Sequence, residues 1–219
     1  LPVIVLPVSS LKKYVSFLIL GNIWTRNCKF CGVNKGKTEK IDENEDIKIS
    51  EIIKKLNMKY VVLTSVTRDD LPDGGASHFA KVVKRIKETN PGTIIETLIP
   101  DFGGKINNLN ILFENKPDLI SHNIETTPSL YPEIRSKANY KISLFVLEQI
   151  KKNGFKSKSS FMLGLGEKKE EIFKVMYDLR KVDCDYLVVG QYLSPNKNSY
   201  PVKEFVPPEV FKEIEEKGK

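Results

Sequence analysis

Residues Tyr60–Leu98 read YVVLTSVTRDDLPDGGASHFAKVVKRIKETNPGTIIETL, and this stretch decides the fold. Tyr60–Thr64 is a short β-branched apolar run, the composition of a buried strand. Ala76–Thr89 carries Phe79, Val82, Val83 and Ile86 at helical spacing, and Asn90-Pro91-Gly92 stops it. Thr93–Leu98 is a second apolar strand. Strand, helix and strand in one short segment require a parallel pair joined by a right-handed crossover.

The same alternation extends in both directions. Upstream, Tyr14–Leu20 predicts a strand closed by Gly21. The spacing of Ile49, Ile52, Ile53 and Leu56 predicts a helix over Ile49–Leu56, with Ser50 as its cap. Downstream, a helix is expected over Lys105–Glu114, weakened by its three asparagines. Strands follow at Asp118–Ser121, Lys158–Leu163 and Tyr186–Val189. Helices follow at Ile142–Lys152, at Lys169–Lys181, and from Pro207-Pro208 to the chain end. The order is βαβαβαβαβαβα, an α/β class with parallel strands. No Gly-x-Gly-x-x-Gly follows the first strand, which counts against the dinucleotide-binding version. Two architectures remain open, a doubly wound open sheet and a barrel or partial barrel, and six units are two short of a closed eight-unit barrel. The whole chain, 1–219, is expected as a single domain with residues 1–13 as an N-terminal extension.

Composition excludes several classes. With 219 residues, 40% hydrophobic and 29% charged, the chain has a globular balance rather than a disordered or collagenous one. No apolar run reaches the length of a membrane span, and the prolines and lysines of the opening segment make a poor signal peptide. The first residue is Leu, so the chain reads as trimmed or incomplete. Three cysteines are too few for a disulfide scaffold and suit a reducing compartment: cytoplasm, mitochondrial matrix or plastid. The net charge of +7 is chiefly lysine. Without interleaved aromatics it argues against a nucleic-acid groove and suits a solvated surface or an acidic protein partner.

In parallel α/β folds, chemistry collects at the carboxyl ends of the strands. Trp24–Cys31, Thr64–Gly75, Glu96 with Pro100–Gly104, His122–Thr126, Lys158 with Gly164–Glu167, and Gln191-Tyr192 all fall in or just beyond strands. Cys28-x-x-Cys31 is open to several readings: incidental cysteines, a redox pair, half a zinc site, or part of an iron–sulfur ligand set. Cys184 reads as a core residue. Asp69, Asp70 and Asp73 read either as a cation site or as a turn capping the next helix. Gly74-Gly75 offers backbone N–H groups to a carboxylate.

Together the segments FLILGNIWTRNCKFC, VVLTSVTRDDLPDGGASHF, ETLIPDFGG, SHNIETTPSLYPEIR, KSSFMLGLGE and VVGQYLSPN resemble the lipoyl synthase family of radical S-adenosylmethionine enzymes. The resemblance runs from about Ser16 to Phe211. It implies a partial (β/α)6 barrel holding a 4Fe–4S cluster on three loop cysteines, with S-adenosylmethionine chelating the open iron. The implied reaction inserts two sulfurs at carbons 6 and 8 of a protein-bound octanoyl group, and an auxiliary 4Fe–4S cluster supplies the sulfur. Implied partners are octanoylated lipoyl-carrier domains or glycine-cleavage H protein, and an electron donor such as ferredoxin or flavodoxin. Residue by residue, Cys28 and Cys31 carry over as cluster ligands and Phe30 as the residue between them near the cofactor. Asp73, Gly74, Gly75, Asn123, Glu125 and Lys158 carry over as S-adenosylmethionine contacts, and Arg68 and Arg135 as partners of a substrate or cofactor carboxylate. No catalytic acid or base is assigned.

The departures concern the chemistry. The family loop C-T-R-x-C-x-F-C stands here as Trp24-Thr25-Arg26-Asn27-Cys28-Lys29-Phe30-Cys31, so the first thiolate is a tryptophan. Residues 1–15 hold no cysteine for the auxiliary cluster, and the family's C-terminal Arg-Ser-Ser-Tyr is absent. Ser160 stands where the family usually has glycine. The expectation is an impaired lipoyl synthase. Its alternatives are a non-catalytic member or fragment binding S-adenosylmethionine or carrier protein, and a single-cluster radical enzyme of other specificity.

Overall fold

The computed structural model describes residues 13–219; the expected extension over residues 1–13 therefore lies, except for Lys13, outside the described residues. The strands are β1 (Tyr14–Ile19), β2 (Ile23–Trp24), β3 (Asn34–Lys35), β4 (Tyr60–Ser65), β5 (Ile94–Leu98), β6 (Leu119–Ser121), β7 (Ser157–Leu163) and β8 (Tyr186–Gln191). The helices are α1 (Glu45–Leu56), α2 (Ala76–Thr89), α3 (Ile106–Phe113), α4 (Tyr131–Ile134), α5 (Tyr140–Lys152), α6 (Lys169–Lys181) and α7 (Pro208–Gly218). Six strands form a parallel sheet in chain order, β1-β4-β5-β6-β7-β8, as the alternation requires. None of the described helices is long and apolar enough to cross a membrane.

The chain divides into two compact units. One comprises residues 13–26 and Val33–Ser121, the other Asn27–Gly32 and His122–Lys219. In the first, Tyr60 of β4 lies opposite Tyr14 of β1 and opposite Ile94 of β5. Val61 and Leu63 of β4, Ile95 of β5, and Phe79, Val82, Val83 and Ile86 of α2 are wholly buried. Each such side chain contributes about 1.5–3 kcal/mol of transfer free energy, so the period-2 and period-3.6 patterns meet in one core. In the second unit β7 alternates buried and half-buried residues, with Ser157, Ser159, Phe161 and Leu163 on the buried face. A separate cluster of Ile134, Leu165, Tyr192 and Tyr200 packs against Phe30, Leu130, Met162 and Val202.

Several boundaries differ from the sequence reading. Helix α1 begins at Glu45, four residues before the expected Ile49. Its N-cap is Asn44, and Ser50 instead lies inside the helix, its hydroxyl donating to the Ile47 carbonyl. Glu45 and Asp46 in the first turn favour the helix dipole, a charge effect that apolar spacing does not register. The asparagines of α3 do not break it; Asn108 Nδ2 donates to the Phe102 carbonyl. The two-residue strands β2 and β3 pair with each other through Ile23–Asn34 and Trp24–Lys35. They are too short to leave a pattern.

Candidate functional site

In the second unit four predicted residues converge. Arg135, just beyond α4, extends its Nη1 to the Ile124 carbonyl and the Tyr131 hydroxyl, both at 2.8 Å, and lies over the Tyr131 ring at 5.0 Å. It also interacts with Cys28 and with Glu125. Cys28 is buried and Cys31 half-buried. Burial pushes the Cys28 thiol up, while the Arg135 guanidinium pulls it back. Glu125 sits in the left-handed region at φ 69°, a conformation costing a non-glycine residue about 1–2 kcal/mol. The flanking backbone fixes it there: Glu125 N–H donates to Ser160 and Met162 N–H donates to Glu125, each at 2.9 Å. Burial pushes its carboxyl up, opposed by Arg135 and by the Asn123 side chain. Arg135 Nε is buried and has no acceptor among the described residues. Lys158 is half-buried on β7 opposite Tyr186, and Phe30 packs against the Tyr192–Tyr200 cluster.

The other predicted residues lie in the first unit and are engaged with protein. Asp73 caps α2: its carboxylate accepts from Gly75 N–H at 2.9 Å and Ser77 N–H at 2.7 Å. Gly74 and Gly75 have φ of 65° and 94°, and a Cβ on Gly75 would overlap the Leu20 side chain. Arg68 is buried, with Nε and Nη2 on Asp70 and Nη1 on the Leu20 carbonyl at 3.0 Å.

Its hydrogen bonds hold the Asp70 carboxyl down at about 2, below the ordinary 3.8. The depressed folded value means the contribution is complete above the ordinary value and disappears as pH falls through 2. Asp70 is partly open to solvent, 35% exposed at its side chain, so the contribution is discounted to roughly 1 kcal/mol. Urea midpoints recorded from pH 5 down to pH 2 will fall more steeply for the native chain than for Asp70→Asn.

Sequence reasoning missed Arg26. Its Nε and Nη2 clasp Asp69 at 2.8 and 2.7 Å, and its Nη1 and Nη2 clasp Asp101 at 2.6 and 2.8 Å. Thr25 adds a hydroxyl bond to the Thr67 carbonyl at 2.8 Å. The available signal was an arginine inside the cysteine motif and aspartates after two later strands; Asp69, read as part of a cation site or a capping turn, is instead bound by Arg26.

Other polar and titratable groups also have structural partners. His78 Nε2 lies 2.6 Å from Glu45 Oε2, and His122 Nε2 lies 2.9 Å from Ser143 Oγ. Glu167 accepts from the Gly164 and Leu165 N–H groups. Cys184 is buried, which pushes its thiol up to about 11.

A cluster held by three thiolates with one open iron needs a donor triad. The donors offered here are Cys28 and Cys31. Position 24 offers an indole whose buried Nε1 has no partner among the described residues. No group of three or more His, Cys, Asp or Glu among the described residues is placed to hold a metal ion. The residues present do not fit that cluster.

The Radical SAM superfamily model matches residues 19–179. Lipoyl synthase of Caldicellulosiruptor saccharolyticus is 55% identical over 207 residues, which span 94% of this chain and 73% of that protein. Lipoyl synthase of Aquifex aeolicus is 50% identical over 209 residues, spanning 94% and 75%. Among solved structures, methylornithine synthase (PylB) superposes with a TM-score of 0.68 at 18% identity, over 88% of this chain and 57% of that one. That likeness shows fold alone and agrees with a TIM-like arrangement of parallel strands. With half its residues shared with lipoyl synthases over nearly its whole length, the chain belongs to the lipoyl synthase family of radical S-adenosylmethionine sulfurtransferases.

Proposed function

We propose that this chain is a lipoyl synthase in which sulfur insertion at carbons 6 and 8 of a carrier-bound octanoyl group is silenced by Trp24. In the family, a cluster-bound S-adenosylmethionine supplies the 5′-deoxyadenosyl radical that removes hydrogen from those carbons. The observation that carries the reading is the thiol inventory: position 24 of the cysteine motif is an indole, leaving Cys28 and Cys31 as the motif's two thiols.

The remaining assignments rest on family pattern and local geometry. Arg135 is the anion-binding group, because its buried Nε is an unspent donor. By family pattern, Asn123, Glu125, Lys158 and Phe30 are assigned as cofactor contacts, and so are Asp73, Gly74 and Gly75. Octanoylated lipoyl-carrier domains or H protein are the substrate, and a ferredoxin or flavodoxin the reductant.

The test is anaerobic iron–sulfur reconstitution of the chain beside Trp24→Cys, read by iron content, electron paramagnetic resonance and 5′-deoxyadenosine release. Trp24→Cys is expected to take up about four irons, to shift its resonance on adding S-adenosylmethionine, and to form 5′-deoxyadenosine. The unaltered chain is expected to form none. Equal cleavage by both chains overturns the proposal.

A further inference from the structure

Residues 192–206 cross the loop that carries Cys28 and Cys31. Tyr200 N–H donates to the Lys29 carbonyl at 2.8 Å. Pro195 sits so close over Gly32 that a Cβ there would lie 2.9 Å from the proline Cβ. Phe30 packs into the cluster formed with Tyr192 and Tyr200.

The segment is a rigid strap. Tyr192 Oη donates to the Tyr200 carbonyl at 2.6 Å, and Lys203 N–H to the Gly164 carbonyl at 2.8 Å. The Gln191 side-chain amide donates to the Glu204 carbonyl at 3.0 Å and accepts from Val206 N–H at 2.9 Å. Phe205 is thus anchored on both sides through its neighbours' backbone, yet it is 73% exposed, and Leu193 is 67% exposed. A large aromatic held outward on pinned backbone loses little entropy when covered, which is the profile of a binding anchor.

The surroundings are basic. Lys29, Lys168, Lys197 and Lys203 are exposed; Lys203 lies against Gly166, with its ammonium over the Tyr200 ring. Nearby carboxylates are already engaged: Glu133 with the Tyr200 hydroxyl, and Glu167 with the Gly164–Leu165 backbone. Glu204 is the strap's own exposed acid.

We infer that the strap is the docking surface for the acylated carrier protein, an acidic domain that seats an apolar patch on Phe205 and Leu193. This rests on the proposed function. Charge complementarity selects the partner, and the strap's contacts with the Cys28–Gly32 loop bring the acylated lysine to the cysteines.

The experiment is titration calorimetry of the full chain with octanoylated H protein and with octanoyl-lysine amide. It uses Phe205→Ala, Lys197→Glu/Lys203→Glu, and a control at another exposed aromatic, Tyr177→Ser. Circular dichroism checks that each variant folds. Phe205→Ala is expected to weaken carrier binding about thirtyfold and the charge reversal about tenfold. The charge reversal also flattens the salt dependence, and Tyr177→Ser changes nothing. Octanoyl-lysine amide is expected to bind all four chains alike. Carrier binding that strap variants leave unchanged overturns the docking surface alone. No carrier binding by the unaltered chain overturns both this inference and the proposed function. Sedimentation showing dimers that Phe205→Ala dissociates assigns the strap to a second copy instead.

Discussion

Arg26→Ala will destabilise the protein by about 3 kcal/mol, and its melting temperature will drop by roughly 6–12 °C. The effect comes mainly from one arm of the clamp. Asp101 is nearly buried, 4% exposed at its side chain, whereas Asp69 is 43% exposed. The Asp69 arm is worth little in solvent. Removing the guanidinium takes the cation from a buried carboxylate, and the Gly103 N–H at 2.9 Å is among the donors that remain. Burial by itself lowers the Arg26 pKa, but its hydrogen bonds to the Asp101 and Asp69 carboxylates outweigh it and raise the net value above the ordinary one.

Arg26→Lys keeps the charge but loses the planar fork that reaches both carboxylates, and is expected to cost about half as much. The double variant Arg26→Ala/Asp101→Ala is expected to cost less than the sum of its singles, because it leaves no uncompensated buried charge. Urea unfolding of the native chain, Arg26→Ala, Asp101→Ala and the double variant measures the coupling. An Arg26→Ala loss below 1 kcal/mol would show that solvent reaches Asp101 freely.

Gly164→Ala will release the strap. Gly164 has φ 92°, where an L side chain is strained, and an added Cβ would overlap the Glu204 carbonyl oxygen and Gln191 Nε2. The backbone left-handed penalty is about 1 kcal/mol, and the three hydrogen bonds that hold 203–206 are each worth about 1 kcal/mol. The cheaper response is local: the strap lifts while β7 and β8 stay paired. Opening made easier by about 3 kcal/mol raises trypsin cleavage after Lys203 on the order of a hundredfold, with far-ultraviolet circular dichroism unchanged. If cleavage stays at the native rate, the strap is held by something other than Gly164 and Gln191.

Much of the fold was legible because the signals are local. The β-branched run of β4 and the apolar stripe of α2 are set by neighbours within a turn or a strand, and Asn90-Pro91-Gly92 ends α2 by backbone chemistry alone. The extra turn of α1 was not legible, since acidic residues at 45 and 46 extend the helix through its dipole rather than through an apolar face. Nor was α4, where Pro132 opens a single turn after the 3₁₀ turn at Pro128–Leu130. In the candidate site, spacing singled out Cys28 and Cys31, and strand-end position together with the family resemblance singled out Glu125. Arg26 had no such mark, because its carboxylates lie 43 and 75 residues away.

The sequence alone determined the order of strands and helices, because hydrophobic period is a property of consecutive residues, and it determined the thiol inventory, because no folding turns Trp24 into a ligand. Tertiary structure decided which charged groups are already committed to protein. Arg68 is engaged with Asp70, Asp73 with the first turn of α2, and Glu167 with its own turn. It also decided that Arg135 meets Cys28 and Glu125, and that Phe205 stands exposed on pinned backbone. Such pairings depend on where turns bring distant residues, and desolvation then fixes their strength; neither quantity exists until the chain has folded.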